Sequence, residues 1–94
     1  MSDARMKLEG SLDLHHAADA AQRFREWLNR EGSLELDGSG LTAIDGCGLQ
    51  LLLAVFGTAR EQHREIVWSA PSESLSEAAD LMGLSGLLGL KEQS

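Results

Sequence analysis

The stretch from Leu34 to Phe56 limits the possible folds more than any other part of the chain. Leu34 and Leu36 alternate with Glu35 and Asp37, the period of a half-buried strand, and Gly38-Ser39-Gly40 supplies the punctuation expected of a tight loop after it. Four residues past Leu41 stands Asp45, an acceptable helix N-cap, because its carboxylate can accept from the unpaired amides of Cys47 or Gly48. The run that follows, Leu49, Leu51, Leu52, Leu53, Val55 and Phe56, is apolar on nearly every face, so this helix should be largely buried.

Gly46 and Gly48 oppose helix propensity in that first turn, each by about 1 kcal/mol relative to alanine. Their presence suggests that something comes close there: a strand, another chain, or an anion drawn by free amides and the helix dipole. A tight strand-to-helix turn with no ligand fits the same residues.

Upstream, Met6, Leu8, Leu12 and Leu14 occupy alternate sites, read as a strand that kinks or turns at Gly10. Ala17, Ala20, Ala21, Phe24, Trp27 and Leu28 then recur at three- and four-residue steps, an amphipathic helix ended by Glu31-Gly32-Ser33, with Gly32 as its left-handed cap. Ile66-Val67-Trp68 is short and apolar, as expected of an interior strand covered on both sides. Ser72 or Ser74 can cap a third helix whose inner stripe is Leu75, Ala78, Ala79 and Met82, and Gly83 closes it. Leu84, Leu87, Leu88 and Leu90 suggest a short element folded back on the core, and Trp27, Trp68 and Met82 are assigned to the core or its rim. Strands alternating with crossover helices predict an α/β fold, a small mixed and mostly parallel sheet of about four strands with helices mainly on one side. The 94 residues suit a single domain, with residues 1–5 and 91–94 expected to be flexible.

The formal net charge of -7 disfavours nucleic acid and direct insertion into an anionic membrane. No apolar run approaches the roughly 20 residues of a membrane helix, and the first residues lack a secretory layout, which makes a cytoplasmic location the expectation. A lone cysteine, Cys47, excludes an internal disulfide framework. The adjacent His15 and His16 point apart with no third ligand evident, so neither a metal nor another cofactor is expected. Cys47 at a helix start could gain thiolate character, but Asp45 two residues earlier opposes it, and no base adjoins it in sequence. Catalysis is therefore not expected.

The string from Leu36 to Leu53, a strand ending in Asp, a loop closing on Ile44-Asp45, two small residues, then Gly48-Leu49 and an apolar helix, resembles the central signature of STAS domains. Such domains occur in anti-sigma factor antagonists, sulfate transporter tails and MlaB-like accessory subunits of lipid transport. The likeness continues through Val67 to Ser72 and into the closing Leu-Gly repeats. It implies a non-catalytic interaction module of bacterial regulation, anti-sigma factor antagonist-like or a chemotaxis or signalling component, with a kinase-like anti-sigma factor or signalling protein as partner; an MlaB-like accessory subunit bound to a lipid-transport ABC ATPase is the alternative. The position that a partner kinase modifies in phosphoregulated members corresponds here to Gly46, which has no hydroxyl. Phosphate there would place nearly two negative charges beside Asp45, and that switch is lost. The expected partner surface comprises Asp37, Ser39, Thr42, Asp45, Gly46 and Cys47, with Ser39 and Thr42 as conceivable substitute acceptors. A small anionic ligand or nucleotide at the helix start remains an alternative. STAS domains usually open with a two-strand hairpin; the first strand here looks short or missing, which would leave an edge that a second copy could cover.

Overall fold

The computed structural model describes residues 4–70 and 72–90. Six elements follow in order: β1 (Ala4–Leu12), α1 (Ala17–Leu28), β2 (Leu34–Ile44), α2 (Gly46–Glu61), β3 (Ile66–Ala70) and α3 (Glu73–Leu81). The strands form one sheet in the order β1-β2-β3, and both pairings are parallel. Among the described residues the sheet thus has three strands rather than about four, and it is wholly parallel.

Register explains which residues face the helices. Met6 lies opposite Leu36, and Leu36 opposite Trp68, so these side chains share one face with Ala4, Leu8, Leu34 and Ile66. That face joins Phe24 and Trp27 of α1, Leu49, Leu52 and Val55 of α2, and Leu75 and Ala79 of α3 in one buried core. Leu36, Leu52, Leu75 and Leu88 lose all solvent contact, each stabilising the fold by roughly 1.5–3 kcal/mol relative to exposure. The opposite face carries Arg5, Lys7, Glu9, Glu35 and Val67, exposed or half-buried. Arg5 pairs there with Glu35 at 3.7 Å and with Asp37 at 3.2 Å, and Lys7 with Glu9 at 3.5 Å.

The expected loop at Gly38-Ser39-Gly40 is instead the middle of β2. β2 has 11 residues against 9 in β1, and two register shifts absorb the excess. Glycine is required because both neighbours crowd the bulged strand. A Cβ at Gly40 would lie 2.9 Å from the Leu8 carbonyl oxygen, and one at Gly38 would lie 3.0 Å from the Trp68 ring. The glycines that looked like a strand end mark close strand packing. Gly10 does kink β1, with φ +73°.

Other expectations are corrected in detail. Ala4 and Arg5 belong to β1, whereas residues 1–3 and 91–94 lie outside the described residues. α1 ends at Leu28, three residues earlier than the Gly32 cap implied. β3 is an edge strand with Val67 53% exposed, and Met82 is 63% exposed rather than at the core. Trp27 and Trp68 do pack inward, each donating its indole N–H to a carbonyl, of Ala4 at 2.8 Å and Leu88 at 2.7 Å. The latter bond fastens the closing turn of residues 84–90 against Phe56, on which Trp68 stacks at 5.9 Å.

Both α2 and α3 end in a Schellman arrangement. Arg64 N–H donates to Ala59 and His63 N–H to Arg60, and Leu84 and Gly83 repeat the pattern onto Ala79 and Asp80. Gly83 suits its left-handed φ of +71°, whereas α2 uses His63 at φ +58°. That strained residue aims Arg64 at the end of α1, where its guanidinium donates to the carbonyls of Leu28 and Arg30 at 2.6 Å and of Gly32 at 3.0 Å. These are unpaired acceptors past a helix C-terminus, so the bonds are charge-assisted and join two helix ends. Arg64→Ala should lower unfolding free energy by about 2 kcal/mol in urea titrations. His63→Gly should raise it by about 0.5–1 kcal/mol, since only the left-handed backbone changes its preference.

Candidate functional site

β1 and β2 finish level with each other, Leu12 opposite Ile44, so the turns that lead into α1 and α2 emerge side by side. Asp45 adopts an extended backbone and uses three groups to join them. Its amide donates to the Leu12 carbonyl at 3.3 Å. Its Oδ1 accepts from the Gly48 amide at 3.0 Å, the expected N-cap, and its Oδ2 accepts from the Leu14 amide at 3.2 Å. The neighbouring turn has its own carboxylate: Asp13 Oδ1 accepts from the amides of His15 at 3.1 Å and His16 at 3.2 Å, and lies 2.7 Å from His16 Nδ1. The His16 contacts hold the Asp13 carboxyl below its ordinary range. Both histidines are exposed.

The two glycines of this turn serve different ends. At Gly48 a Cβ would fall 2.2 Å from the Leu12 carbonyl oxygen and 2.8 Å from Ile44 Cγ1, so the backbone of α2 sits directly on the end of β1. The close approach implied by the sequence is therefore, at Gly48, made by a strand of the same chain. At Gly46 nothing lies within 4 Å of a Cβ, and Asp45, Gly46 and Cys47 are all exposed. No packing requirement accounts for glycine at position 46.

Of the six residues singled out by sequence, the structure brings Asp45, Gly46 and Cys47 together at the tip. Thr42 lies on the exposed end of β2, its hydroxyl donating to Gly10 and its carbonyl accepting from the Ser74 hydroxyl of α3, which is capped by Ser72 rather than Ser74. Asp37 and Ser39 sit further back along the strand, Asp37 by roughly 20 Å at strand rise. Ser39 is exposed, but Asp37 is buried and is not offered to a partner: Oδ1 accepts from the Ser39 amide at 2.9 Å and Oδ2 from Arg5 at 3.2 Å. The Ser39 amide foremost, with the Ser39 hydroxyl and Arg5, holds the Asp37 carboxyl below its ordinary range. Sequence reasoning missed Leu14, assigned to strand alternation but placed beyond β1 and 67% exposed. The clue was Asp13 ahead of Leu14-His15-His16, a carboxylate suited to bond backbone amides two and three residues on.

Little at the tip suits small-molecule chemistry. A surface cavity of about 550 Å³ lies at the other end of α2, lined by Phe56, Arg60, His63 and Leu87, and those of about 310, 460 and 130 Å³ are likewise lined by neither Asp45, Gly46 nor Cys47. Among the described residues no three His, Cys, Asp or Glu side chains gather as a metal site. No helix among them is long and apolar enough to cross a membrane.

Two measurements check this geometry. Gly48→Ala should destabilise by about 3 kcal/mol or more, because backbone must move, whereas Gly46→Ala should be neutral or slightly stabilising, read as urea midpoints. Asp37 has a lowered folded pKa, so its contribution is complete above the ordinary carboxylate value near ~3.9 and disappears as pH falls through the lowered one. Asp37→Asn should therefore flatten the acid limb of the stability curve below about pH 4.

A comparison with curated proteins gives no match. A family model described as "Mlab, STAS domain" matches residues 1–89, a span that takes in the parallel sheet, the Asp45 junction and all three helices. The chain belongs to the STAS domain family.

Proposed function

We propose that the chain is an MlaB-like accessory module that docks through Asp45, Gly46 and Cys47 onto a protein partner, the ATPase subunit of a lipid-transport ABC system. STAS domains are generally non-catalytic binding modules, and the matching family model carries the Mlab description. The carrying observation is the empty space around Gly46, which lets a second backbone approach the first turn of α2 while its amides remain uncovered. None of the four cavities described above is lined by Asp45, Gly46 or Cys47, which suits a protein surface better than a nucleotide or lipid headgroup. Gly46 also favours the ATPase over a sigma-regulating kinase, since it offers no hydroxyl to phosphorylate.

Because position 46 is open, substitutions there report on docking rather than folding. Gly46→Arg should keep the circular dichroism spectrum and urea midpoint within about 0.5 kcal/mol of wild type while reducing co-purification with the co-expressed lipid-transport ATPase of the same genome. Undiminished co-purification would place the interface elsewhere. Shifts confined to Gly46 to Leu49 on adding nucleotide to the isolated chain would favour the ligand reading.

A further inference from the structure

We infer that Leu14 is the apolar anchor of the docking tip, held in place by Asp45, and that the partner face it enters is an apolar recess ringed by Lys and Arg. This rests on the docking reading above and specifies its chemistry.

Leu14 is a large apolar side chain, 67% exposed, on a turn whose backbone is fixed from two sides. Asp45 Oδ2 holds its amide, and Asp13 holds the next two amides and the His16 ring. A single exposed leucine is ordinary. One immobilised beside an open helix start is a preorganised knob that loses little entropy on burial. The same carboxylate caps α2 at Gly48, so Asp45 sets the position of Leu14 relative to Gly46. Asp45 is in this sense a positioning residue.

Charge identifies the occupant. Residues 8–22 and 31–59 contain no Lys or Arg, so the two turns that carry Asp13 and Asp45 hold no permanent cation of their own; Arg23 of α1 shares a cavity wall with Asp19 and His16 and donates to the Lys7 carbonyl. The nearby basic groups in sequence are His15 and His16, and the His16 ring is tied to Asp13. A partner surface with like charge would be repelled, and an uncharged one would strip water from these carboxylates without compensation. A basic rim around an apolar pocket satisfies both the leucine and the acids.

The test uses the full chain and the lipid-transport ATPase of the same genome, with affinity measured by calorimetry at about 50 mM and about 300 mM salt. Leu14→Ser should weaken binding about tenfold or more, Leu14→Met should restore most of it, and wild-type affinity should fall as salt rises. Asp45→Asn should weaken binding and, in the free chain, shift the Leu14 amide resonance and speed its exchange, a readout independent of any partner. If Leu14→Ser binds normally while Gly46→Arg does not, the anchor is overturned and the docking face stands. Salt-independent affinity overturns the basic rim. An unmoved Leu14 amide in Asp45→Asn overturns the positioning role. No binding by wild type, or equal binding by Gly46→Arg and wild type, overturns the docking reading and this inference with it.

Discussion

The junction of strand and helix rests on the absence of one carbon atom. The Leu12 carbonyl occupies the space that any side chain at position 48 would need, and this contact brings the start of α2 down onto the end of β1. From there the remaining geometry follows. Asp45 can reach the Gly48 amide and the Leu12 carbonyl together, the two crossover turns become neighbours, and the apolar face of α2 lies over the inner residues of β2. Dispersion and burial supply most of the stabilisation. The glycine decides where that burial occurs.

The helices and the Asp45 cap could be read from the chain because they depend on local signals: period, capping chemistry and a buried apolar run. The path of β2 could not. Gly38-Ser39-Gly40 has the composition of a turn, and only the crowding of Leu8 and Trp68 on either side reveals a bulged strand. The same limit applies to Asp37, which reads as a strand-end carboxylate open to a partner until register places it, buried, beside Arg5. Gly46 and Gly48 illustrate the limit most closely, since one residue type two positions apart marks a contact in one case and a vacancy in the other. Leu14 escaped notice because alternation carries no information about where a strand stops.

Charge follows the direction of the chain. In a parallel sheet every helix begins at the same end of the strands, and Asp13 and Asp45 lie there, close to the positive ends of the helix dipoles. Arg25 and Arg60 lie in the last turns of α1 and α2, and Arg64 bonds the carbonyls beyond α1. The charges at the starts and ends of α1 and α2 thus each suit the helix dipole they adjoin.

The outer face of the sheet has a consequence for how such a fold can be combined with others. All-parallel sheets are normally sandwiched between helical layers, yet here Arg5, Lys7, Glu9 and Glu35 meet water, cross-linked by ion pairs at 3.2–3.7 Å. A second layer laid over that lattice would have to dehydrate several ionised groups at once, at a cost of several kcal/mol for each ion left imperfectly matched. The flat side thus resists lamination, and larger assemblies containing this chain are steered toward its rims and tips.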